Sequence, residues 1–380
     1  MYVSSWPGLG LRELFPARSD RRPPYPLSAP KRNSFYVARS GIYHLFRALQ
    51  LKPKEMVLAP DYYSGNEIDA IQAAGASIAH YPILRNLEPD LDALTRLARE
   101  VNPRVIYVIH YLGWPQPMQE IEAMCRRQGS ILIEDCALSM LSETGNKPLG
   151  SFGDYSVFCL YKTLPVPNGG LLVQNNHALP ELNGLKMEPC PSMGAAGRSA
   201  ELALEALRSR SNGIGKALFG IKQAAGWMLR AARVRHVPVG DIGWNIRNVN
   251  VAMSSISERV MGGLDYERIR QRRRENFLLM RQLLQGRVAM LREDLNEGVC
   301  PLFFPILVKD KHAAAQFLRH RGIGAVEFWN DPQNNPSIGG EARYLRSHVL
   351  ELPVHQDVTH SQVEYVASQV LRLNHELTPC

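Results

Sequence analysis

Short apolar runs alternate with amphipathic stretches from Phe35 to about residue 174, a rhythm that predicts strands and helices in succession. The pattern places strands at 56–59, 77–81, 105–110, 131–133, 155–161 and 171–173, and helices at 67–74, 91–100 and 118–128. Gly75 and Gly129 stand where helix C-caps are expected. Before them, FYVARSGIYHLFRALQL runs from a strand-like start into a helix with Leu45, Phe46, Leu49 and Leu51 on its apolar side. Ser40 is the expected N-cap of that helix, and Gly41 the place where a ligand could approach the backbone. Alternation of this kind predicts an α/β fold, with a mostly parallel mixed sheet flanked by helices.

After residue 174 the rhythm changes. A loop with Pro180, Pro189 and Pro191 leads into helices at 199–210 and 215–235, then a long helical region from Gly243 to Leu284. From about Cys300 the pattern predicts a strand at 302–308, a helix at 312–321, a strand at 325–328 and a last helix at 361–373. That order describes a smaller C-terminal α+β domain. The expected organisation is an N-terminal arm at 1–33, rich in Pro and Arg, and a large α/β domain at 34–245 with a variable basic helical insert at about 190–240. A linking helix and small domain follow at 246–380.

Composition changes little in this picture. With 380 residues, 45% hydrophobic and 21% charged, the chain is built as a folded protein. The net charge of +8 suits an anionic small molecule, and the Arg272-Arg273-Arg274 and 230–235 clusters lack the interleaved aromatics of a nucleic-acid platform. The basic helix at 215–235 fits packing on the protein's own core, with membrane contact as the alternative. Six cysteines without metal-ligand spacing match a reducing, cytoplasmic setting, and no metal is expected. The N-terminus lacks a signal-peptide core, and no apolar run is long enough for a membrane helix.

The candidate chemistry lies between Ser130 and Gln174. One apolar run ends in Glu134-Asp135 and another in Lys162, so two strand ends each deliver a charge to the sheet edge where α/β ligands bind. A partly desolvated lysine can form a Schiff base with an aldehyde such as pyridoxal 5′-phosphate (PLP). A carboxylate opposite it would hold the pyridine nitrogen protonated. Asn168-Gly169-Gly170 supplies the turn into the next strand. The competing reading makes Asp135 a helix cap and Lys162 a solvated loop lysine. Two other features join the candidate site: the helix start at Ser40, whose N–H groups could take a phosphate, and Tyr62 and Tyr63, which could stack on a flat ring. Trp114 could line a pocket or simply pack.

These segments together resemble the DegT/DnrJ/EryC1/StrS family of PLP-dependent sugar aminotransferases, which have the type I, aspartate aminotransferase-like fold. ARSGIYHLFRAL, VLAPDYY, AGASIAHYPI, IEDCA, GSFGDYSVFCLYK, PNGG, GWNIR and HVLELPVHQDVTHSQVEYV occur in the family's order from about Phe35 to Leu373. The resemblance implies that Lys162 carries the cofactor and shuttles the proton, and that Asp135 pairs with the ring nitrogen. It assigns Ser40, Gly41 and Ile42 to the phosphate and Tyr62 or Tyr63 to the ring face. Asn245 and Arg247 fall where a neighbouring subunit reaches in, which implies a homodimer. Two departures stand out: Cys159 replaces the family's phosphate-binding serine, in a segment two residues shorter than usual, and Leu138 replaces its Gln or His. Relatives that dehydrate carry histidine in place of the lysine, so Lys162 implies transamination. Glutamate is the expected amino donor and a keto group on a nucleotide-linked sugar the expected acceptor. The alternatives are a PLP enzyme acting on a non-sugar ketone or amino acid, and a non-catalytic binding or regulatory protein.

Overall fold

The chain is described by a computed structural model over residues 1–10, 13, 22–210, 245–329 and 338–373. The basic helix expected at 215–235 and the dipeptide Gly243-Trp244 lie outside the described residues.

Seven strands form the main sheet. They are β1 (Arg32–Phe35), β2 (Met56–Pro60), β3 (Ser77–Tyr81), β4 (Val105–Ile109), β5 (Ile131–Asp135), β8 (Tyr155–Cys159) and β9 (Gly170–Gln174), in the spatial order β1-β9-β8-β5-β4-β2-β3. The hairpin strands β6 (Glu143–Thr144) and β7 (Lys147–Pro148) form a separate small ladder. From β3 to β8 neighbours are parallel; β9 runs antiparallel to β8 and to β1. Strands β4, β8 and β9 are buried along their whole length, as expected of a sheet covered on both faces. Crossover helices α1 (Ala38–Leu49), α2 (Asn66–Ala73), α3 (Leu91–Val101) and α4 (Met118–Gln128) join the early strands. Their ends follow local chemistry. Asp90 caps α3 by accepting the Ala93 N–H, and Gly129 closes α4 with a φ of 68°.

The start of α1 differs from expectation. Its N-cap is Val37, which offers no side-chain acceptor, and Ser40 is the third residue of the helix. Gly41 faces inward too: an added Cβ would meet Phe35 and Leu172, so its small size serves helix–sheet packing. The tighter requirement falls on Gly170. A Cβ there would lie 2.4–2.5 Å from backbone atoms of Val37 and Ala38. Gly170→Ala is therefore expected to push α1 off the sheet and lower stability by about 1–3 kcal/mol, measured by urea unfolding.

The segment 155–161 is not one strand. The chain leaves β8 at Cys159, where the Leu160 N–H bonds to the Gly169 carbonyl, and makes the one-turn helix α5 (Leu160–Thr163). Strand β1 starts at Arg32, inside the stretch expected to be arm. After α6 (Pro180–Asn183), helix α7 spans Ser192–Arg210, seven residues longer at its start than its pattern suggested. The region 243–284 is divided, in its described part, into a 3₁₀ turn (Ile246–Asn248), α8 (Ser255–Met261) and α9 (Tyr266–Leu284), with Asp265 capping α9.

In the C-terminal part, β10 (Phe303–Leu307) pairs antiparallel with β11 (Val349–Pro353), flanked by α10 (Lys311–His320), α11 (Gly340–His348) and α12 (His360–Val370). The strand expected at 325–328 is absent; that stretch makes a single bridge, Val326 to Glu351. Residues 1–10 lie over this part: Val3 bridges to Ile323, and Trp6 packs edge-on against Phe303 and Phe328. One apolar cluster runs from the main sheet into the C-terminal part without a break. Among the described residues, no helix is long and apolar enough to cross a membrane.

Candidate active site

Parallel strands β2, β4, β5 and β8 deliver their carboxyl ends to one edge of the sheet, and the candidate residues collect there. Side chains alternate along a strand, so Glu134 and Asp135 at the end of β5 point to opposite faces. The structure gives them different work.

Asp135 is buried. Its Oδ2 accepts the Tyr107 hydroxyl at 2.5 Å and its Oδ1 accepts the Ala137 N–H at 2.9 Å. Burial pushes its carboxyl above the ordinary range, partly offset by the two hydrogen bonds and by the nearby Lys162 charge. Lys162 is also buried, on α5, and its ammonium lies 5.4 Å from the centre of the Phe328 ring. The adjoining Thr163 carbonyl accepts Arg273 Nη2 at 3.1 Å and Gln356 Nε2 at 3.2 Å. Arg273 on α9 is buried and also binds the Pro301 and Leu302 carbonyls, so the lysine's turn is tied to the C-terminal part. Neither charged residue is a helix cap or a solvated loop group.

Glu134 faces the other side and holds a loop in place. It accepts the N–H groups of Gly150 at 2.9 Å, Phe152 at 2.7 Å and Gly153 at 2.6 Å, and bonds His110 Nε2 at 2.9 Å. His110 Nδ1 receives the Gln116 N–H, which places the ring proton on Nε2, pointing at Glu134. Cys136 joins these two within 4.8 Å. With Glu134 already taken by four donors, Glu134 and His110 form a hydrogen-bonded anchor for the loop before β8, with Cys136 beside them.

Glu67, on the first turn of α2, is a further buried carboxyl. Its Oε1 accepts the Ser64 N–H at 2.7 Å, and the Ser64 hydroxyl binds Oε2. Burial, and next the charge of Asp135, push its pKa to about 7 from 4.5. The folded state thus holds this proton where an unfolded chain has released it. Stability from Glu67 is complete below pH 4.5 and falls as pH rises through 7, by about 3 kcal/mol at 1.4 kcal/mol per tenfold in proton affinity. Glu67→Gln is expected to flatten that fall, so the variant gains on the wild type at pH 8 and matches it near pH 4.5 in urea unfolding.

The other expected site residues are placed as follows. Tyr62 packs against Tyr111 and Trp329, and Tyr63 stacks on His80 with centroids 5.1 Å apart, so both rings have partners inside the chain. Ser40, Gly41 and Ile42 are buried in the first turns of α1, and Cys159 is buried at the end of β8 opposite Gly170. Asn168 is clamped by α8 and the residue before it: its Oδ1 accepts the Ser254 N–H at 2.9 Å and its carbonyl accepts the Ser257 hydroxyl at 2.7 Å. Asn245 and Arg247 are exposed on the 3₁₀ turn, where Asn245 Oδ1 accepts the Arg247 N–H. Leu138 lies among Tyr62, Tyr111, Leu112, Phe328 and Trp329. Trp114 is a packing residue: it is buried, tilted against Phe277, and donates to the Asp294 carbonyl. Sequence reasoning missed Tyr107, His110, Glu67 and Arg273. The one usable signal was face alternation in β4 and β5.

The model of the DegT/DnrJ/EryC1/StrS aminotransferase family matches residues 38–371. A UDP-N-acetyl-3-dehydro-alpha-D-glucosamine 3-aminotransferase of Acidithiobacillus ferrooxidans is 27% identical over 195 residues, 48% of this chain and 52% of the relative. A dTDP-4-dehydro-2,3,6-trideoxy-D-glucose 4-aminotransferase of Saccharopolyspora spinosa is 29% identical over 180 residues, 45% of each chain. The chain thus spans about half the length of these curated relatives. Two solved structures share the fold. A Helicobacter pylori aminotransferase involved in the biosynthesis of pseudoaminic acid has a TM-score of 0.65 at 18% identity, over 90% of this chain and 86% of that one. The Escherichia coli GDP-4-keto-6-deoxy-D-mannose-3-dehydratase, with bound hydrated PLP, has a TM-score of 0.65 at 15% identity, over 90% and 88%.

Proposed function

The chain belongs to the DegT/DnrJ/EryC1/StrS aminotransferase family, and from that premise we propose that it moves an amino group from glutamate to a keto group of a nucleotide-linked sugar. PLP is the cofactor, held through Lys162. The observation that carries this reading is the pair of buried charges, Asp135 at the end of β5 and Lys162 on the helical turn that follows the adjacent parallel strand β8.

The residues suit the group. A carboxylate has room for about four donors, and Asp135 has two in the described bonds, so it can also accept a ring N–H. Lys162, on its one-turn helix, is buried and presents a primary amine suited to covalent attachment. When bound, PLP supplies an aldehyde for that attachment and a ring that takes up the electron pair left at the substrate carbon. Lys162 Nζ, once free, would carry the proton from the donor's α-carbon to the cofactor's former aldehyde carbon in the first half-reaction, and from there to the acceptor's former keto carbon in the second. Phe328 lies over that amine and keeps water from it. The α1 N-terminus, capped by no side chain, would hold the phosphate with its free N–H groups.

We place the site at the junction of a large domain, 34–245, and a small one, 246–380, in a cytoplasmic homodimer. The exposed turn with Asn245 and Arg247 is free to serve a partner subunit's site. Two relatives named for nucleotide-linked keto sugars, and the +8 charge, support the acceptor class. One observation favours a second reading, an acceptor that is a non-sugar ketone: Leu138 stands where the family carries a polar residue and sits among Tyr62, Tyr111, Phe328 and Trp329, with Glu351 the one charged side chain lining that space.

The test is a single turnover. With glutamate and no acceptor, the PLP-loaded protein should release about one 2-oxoglutarate per site, as a ping-pong enzyme does. Reoxidation by a nucleotide-linked keto sugar, and not by simple aryl or alkyl ketones, supports the sugar reading. The reverse order of acceptors supports the second. No 2-oxoglutarate would end the glutamate assignment.

A further inference from the structure

Tyr107 is the central residue of β4 and pairs in register with Ile133, two residues before Asp135 on the same face of β5. Two residues of strand rise by about 6–7 Å, a gap that a tyrosine side chain spans, so its hydroxyl arrives at the Asp135 carboxylate. The bond to Oδ2 is 2.5 Å, short enough to be charge-assisted. Tyr107 has little freedom to be elsewhere. It is fully buried, its carbonyl accepts the Tyr81 hydroxyl at 3.0 Å, and its ring packs against Phe46.

This inference rests on the PLP reading. We infer that Tyr107 is a positioning residue for the electron sink: its hydroxyl fixes the plane and the negative charge of Asp135, and so keeps the proton on the cofactor's ring nitrogen.

With Tyr107 on one oxygen and the Ala137 N–H on the other, the carboxylate cannot rotate about its Cβ–Cγ bond without losing one of them. Its remaining lone pairs keep a fixed direction. The hydroxyl also decides where a shared proton rests. Burial alone favours a protonated carboxyl, and a donor to the ionised form opposes that. A less basic Asp135 leaves the proton on nitrogen; a more basic one takes it and leaves the ring neutral. Tyr107 stays protonated and so donates to Asp135, because burial and the charges of Asp135 and Glu67 hold its phenol far above its ordinary range. No other group in the described site combines this bond with a position behind Asp135.

The experiment uses the full chain loaded with PLP labelled with ¹⁵N in the ring. In the wild type the ring-nitrogen signal should lie in the pyridinium range. In Tyr107→Phe, which keeps the ring volume, it should move toward neutral pyridine, and the glutamate half-reaction should slow by about 10- to 100-fold, the usual worth of a hydrogen bond to a charged group. Incorporation of 3-fluorotyrosine at position 107 strengthens the donor and should move the signal the opposite way, even if Tyr107→Phe folds poorly. Asp135→Asn marks the neutral limit. A signal unchanged in the variants while the wild type binds PLP through Lys162 would overturn the role of Tyr107 and leave the PLP reading standing. A wild type that binds no PLP would overturn both.

Discussion

Lys162→Ala should lose the visible absorption band that PLP gives the wild type and should slow both half-reactions by at least about 10³-fold. The size follows from two losses at one residue. Covalent attachment disappears, and so does a positioned acid–base group, which alone contributes about 10²–10⁴. The substitution removes an ammonium beneath Phe328 and leaves the bonds of Thr163 to Arg273 and Gln356 in place, so the circular dichroism spectrum should be unchanged. An added primary amine should restore part of the rate, because the missing function is a small base in an otherwise intact site. A variant that transaminates at the wild-type rate would remove Lys162 from the chemistry.

Glu134→Ala should be the most damaging substitution for stability, with a loss of about 3–5 kcal/mol in urea unfolding. Three backbone N–H groups and the His110 N–H would be left in a buried site without their acceptor. A single water in the vacated space has only two lone pairs for these four donors, and the loop they hold, 150–153, leads directly into β8. Glu134→Gln should fall between, since its amide oxygen still accepts but its NH₂ group confronts donors. A loss below about 1 kcal/mol in Glu134→Ala would mean the loop is held by packing alone.

The contrast between these two residues shows what the chain reveals when read in line. Asp135 and Lys162 were legible because each is a charge at the end of an apolar run, and an apolar run in an alternating α/β pattern is a parallel strand. Glu134 is adjacent to Asp135 and was no more than its neighbour, because its value depends on which loop lies on its face. Tyr107 looked like any aromatic in a buried strand. Its hydroxyl acquires a purpose only when β4 and β5 are set side by side in register.

Elements behaved similarly. The boundaries of β3 and α4 match their patterns, since both are closed by local signals, Tyr81 before Pro82 and Gly129 after Gln128. Helix α1 does not begin at Ser40, because its first turn is set against Gly170, and Val37 precedes it for packing reasons. In the C-terminal part a strand was expected at 325–328, where only Val326 bridges; β11, at 349–353, is the strand that pairs with β10, and it was hidden behind the helix that runs into it without a turn signal. The fold class, read from rhythm, is matched by the structure and by its fold neighbours.

The central claim is that Lys162, faced by Asp135, is the residue that holds PLP. Borohydride reduction of the PLP-loaded protein, followed by proteolysis and mass spectrometry, tests it most directly. The account predicts a stable pyridoxyl adduct on the peptide containing Lys162, at about one per chain, which prior treatment with glutamate abolishes. An adduct spread over surface lysines, or none on Lys162, would contradict it.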